Sequence, residues 1–394
     1  MKKRLLILNG SFCEITLIKE AKKLGYYVIT TGNMPDLIGH SYADEYICAD
    51  YSDKEKILEI VKEKEIDRIV SCANDFGVLT ACYVAEKMGW PGHDSYETAV
   101  TLHHKDKFKE FTYKNDIPSP RSYSFRDKDL ALEHIKNVEY PIIVKANDLT
   151  GGKGILKAEN LEEAKIAVDN AFFKSRDKNI VIEPYIEGTQ HTIVTFLVDR
   201  KNVAYSSCNC YSPINPYLIQ TEILPADDID ELKDELFGII EKIATKLNLA
   251  DGILALQYIK KNGKPYIIET MRRCFGNQFL TVVGMESGFP WEEATVRAET
   301  GMDCSGLKCG VPKAKYCGHH GIMATRNGIV KGYSIDPSIE KHIFQKIEMI
   351  KPGERLNDYM NERIAYIWYT YEDRDEMIQA AKSFNKLIKI EFMD

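Results

Sequence analysis

Short apolar runs alternate with amphipathic stretches through the first third of the chain. RLLIL (4–8) reads as a buried strand, and Ser11 can cap a helix in which Ile15, Ile18 and Ala21 recur at helical spacing up to Gly25. YYVIT (26–30) and YICAD (46–50) read as further strands. Ser52 and Glu55 have capping-box spacing ahead of a helix carrying Ile57, Ile60 and Val61. RIVSCA (68–73) is a fourth strand, and helix 75–88 stops at Gly89-Trp90-Pro91-Gly92. This βαβα order predicts a doubly wound parallel sheet whose ligand crevice lies at the strand C-termini. One helical stretch, 96–115, then leads to IPSPR (117–121), where two prolines mark a boundary. A small α+β unit follows, with strands at 122–125, 141–146, 155–159 and 179–186 and helices at 127–137 and 161–173, the second capped by Asn160. Segment 191–224 is rich in strands. Helix 229–247 carries a stripe of Ile229, Leu232, Leu236, Ile239, Ile240, Ile243 and Leu247. Two strands flank Asn262-Gly263, a hairpin signal, and helix 291–300 follows. The tail sets strand 362–371 before a helix near 373–387.

Composition changes the picture by exclusion. A chain of 394 residues with 44% hydrophobic and 28% charged residues is globular and long enough for two or three domains. A formal net charge of -7 leaves no basic surplus for a phosphate backbone, which argues against nucleic acid and for small ligands. No apolar stretch is long enough for a membrane span, and the apolar run of MKKRLLILNG is too short for a signal peptide. Ten scattered cysteines without CxxC pairs read as reduced thiols of a cytoplasmic protein.

The candidate chemistry begins at 145-KANDLTGGKGILKA-158, where a lysine ends an apolar strand and glycines follow. Gly151, Gly152 and Gly154 would let backbone N–H groups approach a phosphate, with Lys153 adding charge. GGKG lacks the ending and following helix of a P-loop, and NGSFCE in the first turn is not a dinucleotide fingerprint. The loop has company: HHKDKFKEF (103–111) precedes it, and VIEPYIEGTQHTI (181–193) and LALQYIKKNGKPYIIETMRR (254–273) follow.

In the order and spacing of these segments the sequence resembles the ATP-grasp superfamily over nearly its whole length. The resemblance implies an α/β protein with a doubly wound pre-grasp substrate domain (1–95), a two-part α+β grasp fold (96–303, lid about 118–187) and a small C-terminal α/β domain (304–394). It implies ATP with Mg2+, or Mn2+ in its place, and ADP-forming ligation of a carboxylate to an amine through an acylphosphate. Dimers are common among the resembling enzymes. Carried over by position, Lys107 meets the α-phosphate, Lys145 bridges the α- and β-phosphates, and the loop 149–154 folds over the β- and γ-phosphates. Glu183, Pro184, Tyr185 and Ile186 form the hinge that reads adenine through backbone and acidic side chain, with Ile186 offering its N–H. Gln190 stands where many members place a glutamate on the ribose. Lys145 and Arg273 are the catalytic groups, and Arg272, which replaces a family proline, and Asn277 are candidate substrate contacts.

Glu269 and Gln257 are the implied metal ligands, and Met271 stands where asparagine completes the family's E-x-N pattern. A two-residue turn at 262–263 would pair 257 with 268 and send Glu269 to the wrong face. The shared face therefore predicts an odd-numbered hairpin loop with a glycine bulge.

Other clusters receive ordinary readings. Cys304, Cys309, Cys317, His319 and His320 lack zinc-ligand spacing, Cys208 and Cys210 read as paired core thiols, and His103 and His104 as helix-surface residues. Tyr366, Trp368 and Tyr369 read as strand packing. Two other functions fit the motifs: a bicarbonate-activating ATPase of the purine-pathway carboxylase kind, and a non-catalytic ATP-binding regulatory module.

Overall fold

The computed structural model describes residues 2–149, 151–227 and 229–393; Thr150, within the glycine loop, lies outside them. Four parallel strands build the first sheet in the order Glu45–Cys48, Tyr27–Gly32, Arg4–Leu8, Arg68–Val70. The chain thus builds outward on one side of its first strand and returns to the other, which opens a crevice at the strand C-termini. Buried Glu14 fixes that crevice. It accepts from Ser11 N (2.7 Å), Ser11 Oγ (2.6 Å) and Ala73 N (3.0 Å), tying the loop after the first strand to the loop after the fourth. Asn74 then caps helix Asp75–Met88, which ends at left-handed Gly89. Helix Lys54–Glu63 is capped by Asp53 on Lys56 N, whereas the Ser52 hydroxyl bonds Asp50.

The helix expected over 96–115 is broken in two, Tyr96–His103 and Lys105–Lys114, with His104 extended at φ -93 and ψ 121. Nothing in HHKDK signals the break, since neither glycine nor proline is present. Beyond it, a lid of four antiparallel strands runs Tyr123–Phe125, Ile180–Pro184, Ile142–Ala146, Ile155–Ala158. Helices Lys128–His134 and Leu161–Lys174 cover one face, and the lid has its own core around Val144, Val168 and Ile182.

The largest sheet has eight strands in the order Lys264–Met271, Gly252–Lys261, Thr189–Val198, Lys201–Tyr211, Thr221–Leu224, Tyr316–Ile322, Ala365–Tyr371, Ile343–Glu348. Its last three strands come from the tail, so the sheet continues across position 304. Helix Ile229–Lys246 buries Leu232, Leu236, Ile239, Ile240 and Ile243 against Ile193, Leu254, Leu256 and Tyr258. Because side chains alternate along a strand, Thr192, Gln257 and their partners project from the other face. Helices Phe279–Ser287, absent from the sequence reading, and Trp291–Glu299 pack there with Phe196 and Phe289, sharing a core with the first domain's Leu17 and Ile18. Arg355–Leu356, Gly328–Ile335 and Ile388–Met393 form a three-stranded sheet, and helix Arg374–Leu387 packs on the tail.

The hairpin corrects the sequence reading in its means and agrees with it in its result. Lys261 pairs with Lys264 around a two-residue turn, with Asn262 and Gly263 both at positive φ, so the loop is even-numbered. The register shifts inside the strand instead: Tyr258 pairs with Ile267 but Gln257 with Glu269, leaving Ile268 as a bulge. The extra residue brings Glu269 and Gln257 side by side on one face.

Ile240 is fully buried between helix and sheet. Ile240→Ala is expected to lower unfolding free energy by about 2–5 kcal/mol, read from urea denaturation.

Candidate functional site

A cavity of about 500 Å³ lies where the first sheet's crevice, the lid and the face of the large sheet opposite helix Ile229–Lys246 meet. Its volume is within the range of small-molecule sites. One wall is the Ala73–Phe76 loop, which the Glu14 bonds hold in place. His103, His104 and Lys105, at the helix break, form the corner.

Lysines dominate the next wall, though not the expected one. Lys107 is exposed and outside the lining, while Lys105 and Lys109, one turn apart, face the cavity. Two residues along a helix rotate a side chain by roughly 200°, so Lys107 cannot share their face. Lys105 Nζ donates to Leu149 O (2.6 Å) and Asn147 O (3.4 Å) at the entrance to the glycine loop. Lys145 Nζ donates to Glu183 Oε2 (2.7 Å), and Lys109 Nζ lies 3.7 Å from Glu183 Oε1 while donating to Ser119 Oγ (2.7 Å) and Ile267 O (3.1 Å). The Glu183 side chain is therefore engaged by lysines, and it lines the cavity beside the hinge residues that follow it. Burial alone would raise its pKa, and Lys109 and Lys145 together hold it below the usual value. The same burial depresses Lys105, and it brings Lys109 down to about 8 against the attraction of Glu183. Three ammonium groups thus share two carboxylates, Glu183 and Glu269, and the corner favours an anion.

The hinge residues Pro184, Tyr185 and Ile186 and the neighbouring Gln190 line the cavity. Gly151 and Gly152 line it too; Lys153 is exposed, and buried Gly154 accepts from Ala146 N (2.9 Å) outside the lining. A side chain at Gly152 would meet Tyr217 O at 2.6 Å, so a glycine here lets the loop approach the connection between strands Lys201–Tyr211 and Thr221–Leu224.

Gln257 and Glu269 stand together on the floor, with Gln190 Nε2 3.5 Å from Gln257 Oε1. Glu269 is the one carboxylate of this pair, matching the hard-oxygen demand of Mg2+ with few protein ligands.

Asp75, which sequence reasoning missed, anchors the far end. Its Oδ1 accepts from Arg273 Nε (2.5 Å) and lies 3.2 Å from His103 Nδ1, so His103 is buried against it and not a surface residue. Burial opposes the Asp75 charge, but Arg273 and His103 hold the carboxyl well below the usual range. Arg272 lies outside this cavity. It is buried, donates to Asp94 through Nε (2.8 Å) and Nη2 (3.0 Å) and caps Ile253 O and Ala250 O, which makes it a strut between the first domain's end and the sheet.

Asn277 does line the cavity, and its amide contacts Glu222 Oε2 (3.0 Å) and His319 Nε2 (2.6 Å). Glu222, Arg363 and Tyr366, none of them singled out from sequence for this role, complete that end. Trp368 and Tyr369 are core packing, but Tyr366 has the pocket beside it. Strand pairing could have flagged Glu222: Cys210, Glu222 and His319 are register partners across three neighbouring strands.

Residues 103–213 match the family described as phosphoribosylglycinamide synthetase, ATP-grasp (A) domain. The carbamoyl phosphate synthase large chain of Clostridium acetobutylicum is 22% identical over 77% of this chain, which spans 29% of that relative's length. Among solved structures, L-amino acid ligase from Bacillus licheniformis superposes with a TM-score of 0.81 at 16% identity, covering 100% of this chain and 99% of that one. Phosphoribosylglycinamide synthetase from Anaerococcus prevotii gives 0.76 at 21% identity, covering 100% of both.

Glu222 gives the cavity a pH signature. Burial pushes its carboxyl up to about 7, although Asn277, Cys208 and Arg363 oppose the shift. A raised folded pKa contributes stability that is complete below the unfolded value of 4.5 and lost as pH climbs through about 7. Buried His319 and His320, both lowered to about 3, act oppositely below their model value of 6.5, so the informative quantity is a difference. Glu222→Gln minus wild type is expected to rise by roughly 3 kcal/mol between about pH 4.5 and 8 in urea unfolding, at about 1.4 kcal/mol per unit.

Proposed function

We propose that this chain, an ATP-grasp protein, is an ADP-forming ligase that joins a small carboxylic acid to an amine. The observation that carries the reading is the single cavity in which Lys105, Lys145 and the Gln257–Glu269 pair face one another beneath a glycine loop. The residues fit the nucleotide: three ammonium groups meet at one corner, and Lys105 and Lys109, both depressed by burial, gain from an anion. They fit Mg2+ through Glu269, with Gln257 as a neutral oxygen donor. When bound, ATP supplies a phosphoryl group that turns a carboxylate into an acylphosphate, an acyl group with a good leaving group, and Mg2+ offsets the phosphate charge.

The chain's own part is position and charge. Lys105 and Lys145 hold the phosphates, and Lys109 acts at one remove by sharing Glu183 with Lys145. Pro184, Tyr185 and Ile186 offer backbone and apolar surface to a base, and Gln190 reaches the sugar hydroxyls. Gly151 and Gly152 bring the loop over the phosphates and exclude water. Arg273, oriented by Asp75, faces the group being transferred or the substrate carboxylate. The acid and the amine take the end bounded by Glu222, Asn277, Arg363 and Tyr366.

A matrix of acids against amines, scored for ADP, is expected to reveal turnover with ADP as product, and hydroxylamine is expected to trap an acyl hydroxamate. AMP release would overturn the reading, and ADP release with bicarbonate alone would transfer it to a bicarbonate-activating ATPase. Glu269→Gln is expected to lower turnover by about 10²–10³-fold. Lys105→Ala should weaken nucleotide binding by about tenfold or more, a change of about 1.4 kcal/mol, while Lys107→Ala leaves it within about twofold.

A further inference from the structure

At the substrate end of the cavity, three potential metal donors converge at buried positions. Cys208 Sγ lies 3.6 Å from Cys210 Sγ and 3.6 Å from Glu222 Oε1, and one donor atom of each residue lies within 4.8 Å of the others. All three residues are buried. Tetrahedral zinc with bonds of about 2.3 Å to sulfur and about 2.0–2.2 Å to oxygen sets neighbouring donors roughly 3.5–3.8 Å apart. The Cys208–Cys210 and Cys208–Glu222 separations match those edges, and the third edge stays within 4.8 Å.

The strand pattern builds the cluster. Cys208 and Cys210 share a face of strand Lys201–Tyr211, and Glu222 is the direct partner of Cys210 on the next strand. The other carboxylate oxygen is held from behind, with Asn277 Nδ2 at 3.0 Å and His319 Nδ1 at 3.3 Å from Oε2, which leaves Oε1 turned to the thiols. Buried His319 Nδ1 lacks a hydrogen bond of good geometry, a second sign that the corner is short of a partner. Glu222 also lines the cavity, so an ion and a water as fourth ligand have a route in.

We infer that Cys208, Cys210 and Glu222 form a binding site for a thiophilic divalent cation such as Zn2+, separate from the Glu269 position and open to the substrate end of the cavity. Binding releases the two thiol protons, and the proton of Glu222 where it is held, to solvent, and leaves one cation on two thiolates and one carboxylate. The net single negative charge faces Arg363, which already acts on Glu222 across the cavity. The cation prefers soft sulfur, which distinguishes it from the Mg2+ expected at Glu269. Occupancy takes the Oε1 of Glu222 away from any amine in the cavity. The inference rests on the donor geometry and not on the ligase reading, so either can fail without the other.

The test uses full-length protein in a Cys48→Ser/Cys309→Ser background, which removes the two exposed thiols, kept reduced and free of nucleotide. Titration with Cd2+ is expected to give thiolate-to-metal ultraviolet absorption that saturates at one ion per chain, with proton release. Cys208→Ser and Cys210→Ser should abolish the band, and Glu222→Gln should weaken binding by about 10–100-fold. X-ray absorption of the zinc-loaded protein provides a check independent of Cys208 and Cys210 variants: two sulfur donors with oxygen or nitrogen completing the shell support the site. A band that survives both cysteine changes, an all-sulfur or sulfur-free shell, or no saturable absorption would overturn it.

Discussion

Two ammonium groups, Lys145 and Lys109, share one fully buried carboxylate, Glu183, and the remaining architecture is arranged around that imbalance. A buried pair of equal and opposite charges roughly breaks even against its desolvation cost. Adding Lys109, and Lys105 beside it, brings in positive charge that Glu269 and, for Lys105, Asp75 offset in part. The lid supplies Lys145 and Glu183, and the helix after the break supplies Lys105 and Lys109, so the charge cluster also sets how lid and base meet. Such a corner, with burial working against its own lysines, favours an anionic ligand.

The floor of the cavity depends on sheet register. A single extra residue, Ile268, turns a hairpin whose tight turn would separate Gln257 and Glu269 into one that sets them adjacent. The same pleat carries the polar face onward: Gln257 pairs with Thr192, Thr192 with Cys208, and two residues along Cys210 pairs with Glu222 and Glu222 with His319. A continuous polar row on one face of a sheet otherwise packed with Val194, Phe196 and Trp291 needs compensation for its burial, and it finds this in mutual contacts and in the cavity. The ligand-facing groups and the thiol cluster are therefore parts of one surface.

The first domain contributes by struts as much as by its own crevice. Glu14 locks the Ala73 loop, Asp75 reaches Arg273, and Asp94 takes the guanidinium of Arg272. Adjacent arginines on one strand end thus diverge, one turned into the cavity and the other into the interdomain seam. That arrangement explains how a pair that reads alike in sequence divides between a site and its scaffold.

Periodicity carried the parallel first sheet, the strands and helices of the lid and the stripe of helix Ile229–Lys246, because each is encoded by local spacing of apolar residues. The glycine loop could be seen as a loop between two strands, whereas the roles given to Lys145, the hinge, Gln257 and Glu269 came from the resemblance of their order and spacing to the ATP-grasp superfamily. What the sequence left open was rotation and pairing. Only the helix break at His104 decided that Lys105 and Lys109, and not Lys107, face inward, and only the bulge at Ile268 decided how Glu269 arrives. Only the packing of a helix start against a strand end brought Asp75 to Arg273, and only the pairing of neighbouring strands brought Cys210 to Glu222. Local sequence fixes which elements form and which face of each is apolar, whereas a contact between elements depends on their relative phase, a quantity that exists only once the whole core has packed.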